Sequence, residues 1–190
     1  MRSKNPSKKH TIVPIDLGGS PIMCHLRPPQ RPTMLPDTIC AMIERYRIDR
    51  GQVDEVVFFH GGVPTQEQLV ACGDYPIRIA LNPADLNRNT ALSLLAFGVR
   101  NFELEFLSLN NRFIKPLKRG YHPDIAEQIH SELKNNDAKV GLTLSPGLPG
   151  SDYASCIDDA KKAIDIGFDY VRLCPTLALE GSHIAKQCHA

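Results

Sequence analysis

Several groups of residues in this chain have types and spacings that could do chemistry. Gly61-Gly62 follow directly on Val56-Val57-Phe58-Phe59-His60. Paired glycines at the end of an apolar run let bare backbone approach a ligand, and equally they let a strand turn tightly into the next helix. Glu103 and Glu105 alternate with Phe102, Leu104 and Phe106, so on a strand both acids point to one side. An unpaired buried charge is costly, so inward-facing acids must be paired or must line a cavity, and Glu105 has Arg78 and Arg172 as candidate partners on neighbouring strands. Pro146-Gly147-Leu148-Pro149-Gly150 reads as a rigid turn closing another strand. Cys24 is a lone thiol in a proline-rich stretch, and His25 is adjacent to it rather than at ligand spacing. His60 has no second ligand type close by and reads as a hydrogen-bonded structural histidine, while His183, Cys188 and His189 match no closed zinc site.

These residues need elements to position them, and the chain alternates strand and helix patterns. Strands are expected at Thr11–Ile15, within Asp54–His60, and at Pro76–Leu81, Phe102–Ser108, Val140–Leu144 and Tyr170–Cys174. Helices are expected at 37–50, stopped by Gly51, and from Thr65 as cap with Gln68 as its capping-box partner, stopped by Gly73. Further helices are expected at 89–97, from Pro123 with Ile125, Ile129 and Leu133 inward, and from Ser151 as cap with Ile157, Ala160 and Ile164 inward. Residues 16–36 and 110–120 read as long connections. The second strand is apolar on both faces, which suits a parallel sheet covered by helices. Repeated units of helix, glycine, spacer and strand imply right-handed βα crossovers, and leave open whether the sheet is flat or curled.

Composition sets the bounds. The 190 residues suit one domain, and 22 basic against 21 acidic residues argue against an obligate nucleic-acid partner. No run approaches the ~18 apolar residues of a membrane span, and a cytoplasmic protein with its six cysteines as free thiols is expected. Residues 1–10 and 183–190 read as tails flanking a core at 11–182.

Taken in order, Phe59-His60-Gly61-Gly62, Glu103-Leu104 with Ser108, Lys118-Arg119-Gly120-Tyr121-His122, the 146–150 turn, and Val171-Arg172-Leu173-Cys174-Pro175-Thr176 through Ser182 resemble the strand-end motifs of the radical SAM superfamily. The branch resembled is that of the elongator-complex catalytic subunit and the oxygen-independent coproporphyrinogen oxidases, over about Thr11–Ser182. The resemblance implies an α/β fold, a six-stranded parallel partial (β/α)6 TIM-like barrel. It also implies S-adenosylmethionine (SAM) at the mouth, with Gly61, Gly62, Glu103, Ser108, Gly147, Leu148 and Pro149 as cofactor-binding positions and Glu103 facing the mouth.

In that family a CxxxCxxC loop holds a [4Fe–4S] cluster. Here the loop reads Gly18-Gly19-Ser20-Pro21-Ile22-Met23-Cys24-His25-Leu26-Arg27, so Ser20 and Arg27 stand at the outer two cysteine positions. A hydroxyl replaces a soft thiolate poorly and a guanidinium has no lone pair to give. Leu107 takes the place of a glutamine, and Ala80-Leu81-Asn82-Pro83-Ala84 stands where that branch has Ser-Thr-Arg-Pro-Asp. The expectation is therefore a radical SAM-like barrel that binds SAM or a related nucleoside, or a protein partner, without a normal [4Fe–4S] cluster and with no metal ligands unless Cys24 serves one. The alternatives are an active enzyme with an atypically ligated cluster and a cofactor-free interaction scaffold.

Overall fold

The computed structural model describes residues 10–16, 34–59 and 62–177. Strands β1 (Ile12–Asp16), β2 (Glu55–Phe59), β3 (Ile77–Leu81), β4 (Asn101–Leu107), β5 (Lys139–Leu144) and β6 (Tyr170–Leu173) form one parallel sheet in chain order. Each crossover carries helix: α1 (Pro36–Arg50), α2 (Gln66–Val70), α3 (Arg88–Ala96), then α4 (Asn111–Ile114) with α5 (Ile125–Lys134), and α6 (Tyr153–Ile166).

The pleat divides the sheet into two surfaces of different chemistry. Val13, Ile15, Val56, Phe58, Ile79, Leu81, Phe102, Leu104, Phe106, Val140 and Leu142 join Ile39, Ile43, Leu69, Leu94, Leu133 and Ala163 of the helices in one apolar core. Burying each large side chain there contributes roughly 1.5–3 kcal/mol. The opposite surface carries Ile12, Pro14, Val57, Phe59, Arg78, Ala80, Glu103, Glu105, Thr143 and Arg172, and all of these line one cavity of about 310 Å3 together with Cys174. First and last strands share a hollow, so the sheet is curled.

Local signals act largely as expected. Gly51, at φ +80°, stops α1 with its N–H on the Arg47 carbonyl at 2.9 Å. Thr65 and Gln68 form the reciprocal capping box of α2. Four readings are corrected. Asp152, with Ser155, caps α6, whereas the Ser151 hydroxyl donates to the Leu148 carbonyl at 2.7 Å. The buried residues of α6 are Asp159 and Ala163, and Ile164 is 71% exposed, because the Asp159 carboxylate is drawn inward by partners at the end of β4. Helix α5 starts at Ile125, two residues beyond Pro123, and buries Ala126, His130 and Leu133, with Ile125 and Ile129 at the margin. The connection 110–120 contains α4 and a 3-10 turn at Lys115–Leu117, since Asn110 caps a short run whose Phe113, Ile114 and Leu117 build a second apolar cluster with Leu107 and Leu148.

Candidate functional site: the hollow of the curled sheet

The hollow has two kinds of wall. Ile12, Pro14, Val57, Phe59 and Ala80 make the side formed by β1 to β3 largely apolar, while β4 to β6 contribute charge. Glu103 is the hub of that charged side. Its Oε1 accepts from Thr143 Oγ1 at 2.8 Å, and its Oε2 lies 3.1 Å from Arg78, 2.9 Å from Arg172 and 3.1 Å from the Tyr170 hydroxyl. Arg78 also reaches Glu55 at 3.0 Å, and Glu55 accepts from Asn101 at 2.9 Å. Side chains from β2 to β6 are thereby joined in one layer across the hollow. On its amino-terminal side Glu55, Asn101, Lys139 and Tyr170 line a separate hollow with His10.

A single missing side chain makes the layer possible. The Tyr170 ring crosses β5 over Gly141, where a Cβ would lie 2.1 Å from the ring Cζ. Only glycine lets that phenol reach Glu103.

Glu105 stands one pleat repeat closer to the carboxyl edge, on the same side as Glu103, in agreement with the alternation of β4. Its expected pairing is corrected: Arg78 and Arg172 both go to Glu103, and among the described residues no hydrogen bond or ion pair reaches the Glu105 carboxylate. Arg78 lies too near the amino end of β3, opposite Asn101, and Arg172 folds back toward the deeper acid. Glu105 is only 8% exposed. Burial pushes its carboxyl up to about 7, with Arg119 pulling the other way and Glu103 adding to the rise.

The other expected positions fall elsewhere or outside view. Ser108 is turned away from the hollow. A register shift after Glu105 and a left-handed Leu107, at φ 63°, send it under α6, where its hydroxyl donates to Asp159 at 2.6 Å and accepts from the Asn110 N–H at 3.0 Å. Leu148 is buried in the second apolar cluster. Gly147, at φ +86°, and Pro149 shape the turn around it, and the Thr176 N–H bonds the Pro146 carbonyl at 2.8 Å, tying this loop to the chain after β6. Gly62 is exposed just after β2. Ser20, Cys24, Arg27, His60 and Gly61 lie outside the described residues. Sequence reading missed Thr143, Tyr170 and Gly141. The available signal was parity: counted along β5 and β6, they share the inward face with Lys139 and Arg172.

Among the described residues no group of three or more histidine, cysteine or acidic side chains is placed to hold a metal ion. Cys72 is buried, and burial pushes its thiol up to about 12, the opposite of what a thiolate ligand needs. Cys174 alone among the described cysteines lines the hollow. No described helix is long and apolar enough to cross a membrane.

No protein-family model and no curated protein sequence matches this chain. Solved structures do. An Elp3 from the archaeon Methanocaldococcus infernus, with its N-terminal residues 1–46 deleted, superposes with a TM-score of 0.72 at 19% identity over 94% of this chain and 48% of its own. The coproporphyrinogen III oxidase HemN of Escherichia coli, a radical SAM enzyme, gives 0.65 at 14% identity over 95% of this chain and 47% of its own. The radical SAM methyltransferase TsrM of Kitasatospora setae, solved with tryptophan and a SAM analogue, gives 0.60 at 10% identity over 86% and 35%. The chain thus spans about half the length of these proteins or less. Curled parallel sheet, strand order and superposition agree: this chain has the six-stranded partial-barrel fold of the radical SAM superfamily.

Proposed function

We propose that this chain is a radical SAM-like protein that binds SAM or a related nucleoside in the hollow of its partial barrel without a normal [4Fe–4S] cluster. The observation that carries the ligand half is the cavity of about 310 Å3 to which all six strands contribute, at the lower end of the ~300–1,000 Å3 typical of small-molecule sites. Its apolar wall suits a ring system, and its charged wall offers groups that fix orientation. The cluster half rests on donor chemistry. Ser20 and Arg27 flank Cys24 where two further thiolates are needed.

Titration calorimetry with SAM and metal analysis of anaerobically reconstituted protein test the two halves together. Heat with SAM in protein that retains no stoichiometric iron or sulfide is expected. Retained iron with ~400 nm charge-transfer absorption, lost in Cys24→Ala, refutes the cluster half. It supports instead an active enzyme with atypical ligation, a reading that the position of Cys174 at the cavity wall favours. Absence of heat with any adenosine compound refutes the ligand half.

A further inference from the structure

In the layer centred on Glu103 both oxygens of that carboxylate already have protein donors, Thr143 on Oε1 and Arg78, Arg172 and Tyr170 on Oε2. Glu105 lines the same cavity, is only 8% exposed, and accepts nothing from the described residues. Its carboxylate oxygens are not sealed in the core but open onto the cavity, where a polar group without a protein partner is available to a ligand. Val57, Pro14 and Ile12 line the same cavity and can cover an apolar body, with Phe59 at its wall.

We propose that Glu105 is the recognition carboxylate of this cavity and that the ligand is a small organic cation, its protonated amine or equivalent positive group on Glu105 and its apolar or aromatic body against Ile12, Pro14, Val57 and Phe59. This deepens the nucleoside reading above and rests on the same cavity. A cation is favoured over a neutral donor because it offsets the cost of ionising a carboxylate out of water, and charge-assisted bonds are roughly twice as strong as neutral ones. The charged and titratable groups around Glu105 are Glu103 on its own strand, Arg119 after α4, Arg172 on β6 and Asp85 after β3, with Tyr121 and Cys174 beside them. Their signs nearly cancel, which leaves the Glu105 proton as the variable charge. Its raised midpoint means that a cation must displace that proton, so affinity falls about tenfold for each pH unit below about 7.

The test uses two probe series on the wild-type chain and on Glu105→Gln. SAM carries an ammonium and a sulfonium, S-adenosylhomocysteine an ammonium only, and methylthioadenosine neither. Cyclohexylammonium and cyclohexanol form a pair without adenosine. The Glu105 carboxyl is followed by 13C NMR, assigned by its loss in the variant. The expected result is a downward shift of the Glu105 midpoint with SAM or cyclohexylammonium, and a loss of SAM affinity of ~10–100-fold in Glu105→Gln that methylthioadenosine and cyclohexanol do not share. A midpoint unmoved by both cations, or a variant that weakens charged and neutral probes alike, overturns the inference. A response to cyclohexylammonium with no binding of any adenosine compound upholds it and removes the nucleoside reading. Equal binding of SAM and methylthioadenosine in both proteins does the reverse.

Discussion

Replacing Gly141 by alanine places a methyl group where the Tyr170 ring now lies, with three ring atoms at 2.1, 2.4 and 2.5 Å from the new Cβ. No rotamer adjustment of alanine relieves such an overlap, so the phenol must leave β5 and its bond to Glu103. Overpacking of this kind costs about 1–3 kcal/mol, and a hydrogen bond to a charged group contributes about 1.5–3 kcal/mol. Against this, alanine in a strand is favoured over glycine by roughly 0.5–1 kcal/mol. The sum is a destabilisation of about 2–5 kcal/mol, a fall in Tm of roughly 4–20 °C for a chain of this size. The decisive assay is a double-mutant cycle by urea unfolding with Gly141→Ala, Tyr170→Ala and both. Once the ring is gone, alanine at 141 meets nothing and its cost disappears or reverses by up to ~1 kcal/mol. If Gly141→Ala costs the same with and without Tyr170, the ring is not what requires glycine, and the account of the ionic layer is wrong.

Two further outcomes follow from neighbouring groups. Glu105 has its carboxyl at about 7 in the folded chain against an ordinary value of 4.5, so its contribution is present in full below about pH 4.5 and is lost as pH rises through 7. At ~1.4 kcal/mol per pH unit, the distance from 4.5 to about 7 is worth on the order of 3 kcal/mol. Glu105→Gln should therefore gain stability relative to wild type between pH 5 and 8, and a difference independent of pH in paired urea titrations contradicts the burial of this acid. Ser108→Ala removes the 2.6 Å bond to Asp159 and leaves that buried carboxylate with the Leu109 N–H alone, for a loss of about 1–3 kcal/mol. Its affinity for SAM should equal that of wild type, and a selective loss of affinity with stability intact would return Ser108 to the binding surface.

How much of this was legible depended on whether the signal was local. Strands with a run of inward and outward alternation, such as Phe102–Leu107, and helices with a glycine stop or a capping box, such as Pro36–Arg50 and Gln66–Val70, were readable because neighbours in sequence dictate them. The inward side of α6 was not, since Asp159 is buried by Ser108 and Leu109, about fifty positions away in the chain. The pairing of the two acids was equally hidden. Parity placed Glu103 and Glu105 together, yet the choice of Glu103 by both arginines depends on the stagger of β3, β4 and β6. Ser108 was named from the order of motifs alone, which carries no sign that one left-handed residue, Leu107, turns the strand end over and places Ser108 under α6.

Closed eight-stranded barrels fill their interior with branched apolar side chains; this half-closed one is spoked instead. A carboxylate at the centre, with guanidinium, phenol and hydroxyl radiating from three neighbouring strands, sets distances and directions that dispersion forces leave loose. Such spokes hold the walls apart as well as together, so the space beyond them does not depend on an occupant to stay open. The rim can then change its residues while the frame beneath keeps its bend.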